Sequence, residues 1–293
     1  MDVFNHSTRT YKLLIIFLFW LITPTVFSHA QNVSSENLEK FLQKRLLNEI
    51  CPVESNAVAK RVFMEYGAVF AADISVRFPH KCIFSSASEV QQFQQQLAIK
   101  NAIIRGVYIE LQRAAMEALL VAISQANAKG VKITPLDGSI AARRDYSDTV
   151  RIWNSRFLPA LDFWVREGKI PLEDADAARK AEMQKQVEKV IEWELKSIYF
   201  DTTFSKSIFS SSAPPGTSQH LSMLAFDVIE YANADVRDIL NKFGWFQTIA
   251  TDAPHFTFLG LPESNLPNRG LMLIELGPHR YWVPKASISI ERK

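Results

Sequence analysis

The sequence predicts an α+β fold: a small, mostly antiparallel sheet packed with helices, preceded by a helical N-terminal extension and interrupted by an inserted charged helix. Three observations carry this expectation. Apolar residues recur at three- and four-residue steps through most of the first two thirds of the chain, the period of amphipathic helices. The last third changes to short strand-like runs separated by turns. Helices first and strands afterwards, rather than strict alternation, favour α+β over a doubly wound parallel sheet. With 293 residues, 47% of them hydrophobic, the chain is long enough to bury a substantial core without metal or disulfide staples.

The same composition excludes several classes. Ten glycines and 13 prolines are too few for a fibrous or disordered chain, and two cysteines are too few for a disulfide scaffold. A net charge of +2 provides no large basic field, so no nucleic-acid partner is expected.

Taken in order, residues 1–30 read as a secretory signal peptide. Arg9 and Lys12 precede an apolar run that starts at Leu13 and ends at Phe27, and Ser28-His29-Ala30 places small residues just before Gln31. The run contains Pro24 and is short of the roughly 20 residues of a membrane span. The expected location is therefore outside the cytoplasm, periplasmic or secreted. The membrane is involved only through this segment, if it stays uncleaved as an anchor. Export changes how the cysteines read. Cys51 and Cys82 are expected to be bridged in an oxidising compartment, the alternative being two buried free thiols, and in either case the pair is structural.

Residues 31–110 are expected to form a helical N-terminal extension, with helices over 37–48 and 56–72. Ser86 or Ser88 then caps a long helix through Val90, Phe93, Leu97, Ile104, Ile109 and Leu111. Residues 111–293 are expected to form the second domain. Its first helix, 111–128, stops at Lys129-Gly130, a short strand follows over 131–134, and another helix covers 152–165. The charged helix over 172–200 shows apolar spacing only at Met183, Val187, Val190, Ile191, Trp193 and Leu195, so it reads as a solvated insert with one face on the core. A Ser/Pro-rich loop over 204–217 leads to strands at 225–229, 256–259, 271–276 and 281–283, with a helix over 235–243 between them.

Chemistry concentrates in that last third. Asp227 follows His220 by seven residues and sits between Phe226 and Val228, where a carboxylate is costly unless a cation or donors satisfy it. His255 opens another apolar strand, with Asp252 three residues before it. Two imidazoles and one carboxylate are three of the four ligands of a catalytic zinc, leaving one position for water. Such a metal lowers the water's pKa towards 7 and polarises a carbonyl. A further carboxylate must then carry the proton, and Asp252 is placed for that role. On these residues alone, hydrogen-bonded core or loop histidines are the competing reading. His279, in a Gly-Pro turn, reads as an ordinary turn histidine.

The stretch Ser218-Gln-His220-Leu-Ser-Met-Leu-Ala225-Phe-Asp227 resembles the Ser-x-His-x-x-Gly-x-Ala-x-Asp motif of the zinc D-alanyl-D-alanine carboxypeptidases and dipeptidases, a family that includes VanY-like enzymes and L-alanyl-D-glutamate endolysins. Asp252-Ala-Pro254-His255-Phe256 resembles its second motif, in the endolysin form. The resemblance covers roughly residues 114–284. It implies zinc held by His220, Asp227 and His255, with Asp252 as catalytic acid/base. From the loosely kept Ser-Gly-Tyr-Arg-Ser element it implies Arg144, with Arg143 in reserve, as the arginine that holds substrate; Ser218 and Arg143 are assigned to substrate binding. The chain departs from the family at Met223, which replaces the motif's Gly, and in the long stretch between Arg144 and His220. The implied activity is hydrolysis of peptidoglycan stem peptides, foremost as a D-alanyl-D-alanine carboxypeptidase. The alternatives are an endopeptidase of the L-alanyl-D-glutamate type and a non-catalytic wall-binding protein on the same fold.

Overall fold

Asn56 turns its side-chain oxygen onto the Ala59 amide at 2.9 Å and so starts helix α1, Ala57–Tyr66, which tightens into a 3-10 turn over Gly67–Ala71. In this computed structural model residues 49–285 are described; the signal segment and the helix expected over 37–48 lie outside them. Ser86 caps α2, Ala87–Gln95, accepting from the Glu89 amide, while the Glu89 carboxylate returns to the Ser85 amide.

Beyond α2 the predicted long helix does not continue. Strand β1, Ile99–Ile104, pairs antiparallel with β2, Val107–Gln112, through a two-residue turn at Arg105-Gly106. Both turn residues have positive φ, 51° and 82°, as the tight hairpin turn that matches strand twist requires. Ile109 and Leu111 lie two apart, so they satisfy a strand's period as well as a loose helical one. Pairing with a β-branched neighbour strand decided between them. Helix α3, Arg113–Ala128, follows at once and buries Met116, Leu119 and Ala122.

The strand expected over 131–134 is also absent. The pairing there is a single bridge between Pro135 and Val228, bracketed by Ile229 N donating to Thr134 O and Leu136 N donating to Asp227 O, while the Thr134 amide turns to the Glu230 carboxylate instead of extending a ladder. Helix α4, Tyr146–Arg166, begins with a capping box in which Asp145 and Asp148 satisfy each other's amides.

The charged helix expected over 172–200 is two helices, α5, Leu172–Lys180, and α6, Met183–Glu194, broken at the extended residues Ala181 and Glu182. The break lets both apolar faces reach α4. Gln186 bridges them: its oxygen accepts from the Trp153 indole at 2.7 Å, and its amide donates to the Ala178 carbonyl at the end of α5. Trp153, Phe157, Trp193, Phe200 and Phe209 fill this core, which also includes Val58, Val62 and Tyr66 of α1.

The other large core lies under the sheet. Strands β3, Ala225–Asp227, β4, Trp245–Gln247, and β5, His255–Phe258, form an antiparallel sheet in the order β3-β5-β4, with α7, Ala234–Lys242, between β3 and β4 in the chain. Phe226, Trp245, Phe246 and Phe256 of the sheet are buried with α3 and α7. A hairpin of β6, Leu271–Leu276, and β7, His279–Pro284, completes an α+β architecture of helices and small antiparallel sheets.

Cys51 and Cys82 are disulfide-bonded, with Cα atoms 5.0 Å apart. The segment that follows Cys82 lies against the loop that leads to His220: the Phe84 amide donates to the Gly216 carbonyl at 2.9 Å. Gly216 has φ of 82°, and a Cβ there would stand 1.9 Å from the Phe84 carbonyl oxygen, so only glycine fits this close approach. No described helix is long and apolar enough to cross a membrane.

Candidate metal centre

Three local features bring the ligand-type residues together. A 3-10 turn over Gln219–Ser222 carries His220, and Met223 ends it in the left-handed conformation, φ 57° and ψ 32°. This is the position where the resembled motif has glycine. The side chain is tolerated because the backbone is held on both sides, Met223 N donating to His220 O and Gln112 N donating to Met223 O, each at 3.1 Å. Asp227 is the last residue of β3 and His255 the first of β5, and the antiparallel register sets them directly opposite each other.

The inward atoms converge. His220 Nε2 lies 3.1 Å from His255 Nδ1 and 3.3 Å from Asp227 Oδ2, and His255 Nδ1 lies 3.1 Å from Asp227 Oδ1. One ligand atom from each residue falls within 4.8 Å of the others. The outward ring nitrogens fix the tautomers. His220 Nδ1 faces the Ala142 carbonyl at 2.8 Å and must donate to it, while His255 Nε2 faces the Gln219 amide oxygen at 2.9 Å. Both inward nitrogens therefore present lone pairs, to each other and to a carboxylate, with all three residues buried. Three acceptors facing one another are unfavourable unless a proton or a metal ion sits among them.

The electrostatics disfavour a proton on His220. Burial, reinforced by the Arg144 charge, lowers His220 from 6.5 to about 4, with Asp227 opposing the shift. Burial works against ionisation of Asp227, but the His220 and His255 imidazoles outweigh it and hold the carboxyl well below its usual range. Two imidazoles, that of His220 kept neutral by burial, beside a carboxylate are the donor set of a zinc site with an open position. The residues present fit that ion.

The low His220 value has a measurable consequence. Below about pH 6.5 the unfolded chain takes up a proton that the folded protein refuses until about pH 4. Metal-free protein should thus lose stability as pH falls through that window, by roughly 3 kcal/mol in all. Urea unfolding in chelator at pH 7 and pH 4.5 checks this: the midpoint should drop in acid, and His220→Gln should flatten the difference. Equal midpoints in the parent chain would remove the claim.

Asp252 stands at the mouth of the site. Its outer side is exposed to solvent, yet the wall around the carboxyl excludes water enough to raise its pKa; Asp227 adds to the rise, while His255 and Arg144 oppose it. Arg144 donates through Nε to the Ile140 carbonyl and through Nη2 to Asp227 Oδ2 at 2.7 Å, so its guanidinium lies against a candidate ligand. Arg143 goes elsewhere. It is exposed, pairs with Glu110 at 2.8 Å and Gln94 at 3.1 Å, and does not line the recess. Ser218 does line it. The recess is lined by Arg144, His220, Asp252 and His255 together with the apolar Ile152, Phe209 and Ile249.

Two contributors had no role in the sequence reading. Tyr66, at the end of α1, lines the recess with its hydroxyl donating to the Phe209 carbonyl. Gln219 holds His255. The available signal for Gln219 was its place between Ser218 and His220; for Tyr66 there was none. His80 packs on Phe84 and Phe93, and His279 lies beside Tyr231, Tyr281 and Gln247.

Fold and site together define an α+β protein with a buried His/Asp/His cluster suited to a metal ion. No protein-family description matches the chain, and no curated protein sequence matches it. Two solved structures are similar to it. One is the LdcB LD-carboxypeptidase, from a study of peptidoglycan recognition, at 14% identity over 55% of this chain with a TM-score of 0.32. The other is a mutant of the vancomycin-resistance D,D-pentapeptidase VanY from the VanB-type cassette in complex with Zn(II), at 16% identity over 57% of this chain with a TM-score of 0.31. The chain spans 64% of the first structure's length, less than two thirds, and 82% of the second's.

Proposed function

We propose that this chain is an exported zinc peptidase that hydrolyses peptidoglycan stem peptides, removing a terminal D-alanine. The observation that carries the reading is the convergence of two imidazoles and one carboxylate, each ring held by an acceptor on its outward nitrogen, at a recess that also holds Asp252 and Arg144. The peptidoglycan substrate is supported by the resemblance of the two motifs, one at 218–227 and the other at 252–256.

Zinc, when bound by His220, Asp227 and His255, supplies the Lewis acid that activates water and polarises the scissile carbonyl. The protein's own residues do the rest. Asp252 takes the proton from the attacking water and passes it to the leaving amine, a role that its raised pKa suits. Arg144 has Nε and Nη2 engaged, which leaves Nη1, among the described residues, for a substrate carboxylate or developing oxyanion. Ser218 lies in the recess wall beside the ligand turn. An endopeptidase cutting within the stem remains the second reading, because Asp252-Ala-Pro254-His255-Phe256 has the endolysin form.

The test is zinc per chain in the purified protein and in His220→Ala, followed by mass analysis of purified muropeptides. About one zinc per chain, lost in the variant, with chelator-sensitive loss of a single alanine, is the expected result. A mid-stem cut would assign the endopeptidase instead. No zinc after reconstitution and no cleavage would leave the wall-binding reading.

A further inference from the structure

We propose that Gln219 is the positioning residue of the metal centre: its side-chain amide holds His255 in the tautomer that turns the Nδ1 lone pair towards His220 and Asp227. The proposal rests on the zinc reading above.

Gln219 is 2% exposed, so each of its polar atoms needs a partner within the protein. Its Nε2 lies 2.8 Å from the Tyr66 carbonyl, which can only accept, so the nitrogen must face that side. The oxygen is then turned to His255 Nε2 at 2.9 Å and to the Thr257 hydroxyl. Thr248 supports Thr257, their hydroxyls 2.6 Å apart, and both threonines are fully buried. Thr257 lies two residues beyond His255 on β5 and so shares its face of the strand.

An oxygen already facing a threonine hydroxyl can receive a hydrogen from His255 but cannot give one. His255 Nε2 therefore carries the proton, and Nδ1 is left as the ligand atom. The two imidazoles are secured differently. His220 is held by a backbone carbonyl, that of Ala142, which no substitution removes. His255 depends on a single replaceable side chain. Through the Tyr66 carbonyl, that side chain also links the candidate centre to the end of α1, a region to which the sequence reading assigned no chemistry.

Gln219→Leu removes the acceptor and leaves the His255 Nε2–H and the Thr257 hydroxyl facing an apolar group; Gln219→Glu, buried as the neutral acid, keeps the acceptor and turns its O–H to the Tyr66 carbonyl. In the full chain, zinc affinity should fall about 10- to 100-fold in Gln219→Leu and stay within a few fold of the parent in Gln219→Glu. Two-bond ¹H–¹⁵N imidazole spectra of the metal-free proteins should show His255 as the Nε2–H tautomer in the parent and in Gln219→Glu, and as a mixture in Gln219→Leu. If Gln219→Leu does not fold, Gln219→Met, unbranched and without an acceptor oxygen, carries the same test.

A merely structural role would lower the urea midpoint while leaving zinc affinity and tautomer unchanged, and that result overturns the proposal. A parent chain that takes up no zinc overturns the zinc reading and this proposal with it. A parent that binds zinc, beside a Gln219→Leu chain that binds it equally, overturns this proposal alone.

Discussion

Asp252→Asn should lower kcat on muropeptides by about 10²- to 10⁴-fold while zinc stays at about one per chain. The substitution keeps the volume and shape of the side chain but removes its capacity to accept and return a proton. Asp252 supplies neither a ligand atom of the converging trio nor an ion pair with Arg144, so metal retention and substrate binding should survive the change. The expected signature is a fall in kcat with little change in KM. The parent's pH profile provides a second check. Because the surrounding wall raises the Asp252 carboxyl, the acid limb should have its midpoint above the ordinary aspartate value. Full activity in Asp252→Asn would remove this residue from the reaction and transfer the proton to another group.

Arg144→Met should have two separable effects. Asp227 is buried, and Arg144 is the cationic side chain ion-paired with it at 2.7 Å. Removing one partner of a buried pair leaves an uncompensated charge, which typically costs about 3–5 kcal/mol. Metal-free Arg144→Met should therefore unfold at a much lower urea concentration than the metal-free parent. Zinc returns positive charge to Asp227, so the metal should recover more stability in the variant than in the parent. On muropeptides, loss of the guanidinium should lower kcat by about 10²- to 10³-fold, the usual cost of deleting a donor to a developing oxyanion. If the metal-free variant were as stable as the parent, the ion pair would be a surface-like contact of little consequence. If it turned over normally, Arg144 would have no part in holding substrate.

The parts of this protein that were legible in the sequence are those set by neighbouring residues. A capping serine at 86 or 88, apolar faces at helical spacing in α3 and α4, and the apolar runs that open at 225 and fill 271–276 all announce themselves within a few turns or residues, although the first strand stops at Asp227 and does not reach 229. The ligand-type residues were legible for a related reason. A carboxylate between Phe226 and Val228 is out of place without a cation or donors, a conflict contained in three consecutive residues. Where local patterns conflicted, the reading failed. Ile104, Ile109 and Leu111 fit a helical period although their chain forms a hairpin, since the paired strand that settles the period lies outside a window of one segment. The charged stretch beyond 172 looked like one helix because helix propensity carries no information on where two apolar faces must bend to meet Trp153.

By itself, then, the sequence determined the α+β character, the disulfide partners and the chemical types gathered around His220, Asp227, Asp252 and His255. Those follow from residue identity and short spacing. The tertiary structure alone decided the rest. It set Asp227 opposite His255 across 28 residues of chain. It turned Arg144 to Asp227 and its neighbour Arg143 away to Glu110. It also aimed each imidazole through an outward acceptor, the Ala142 carbonyl for one and the Gln219 amide for the other. The physical reason is that strand register, side-chain direction and imidazole tautomer are fixed by hydrogen-bond partners remote in sequence, and no local pattern of residue types records who those partners are.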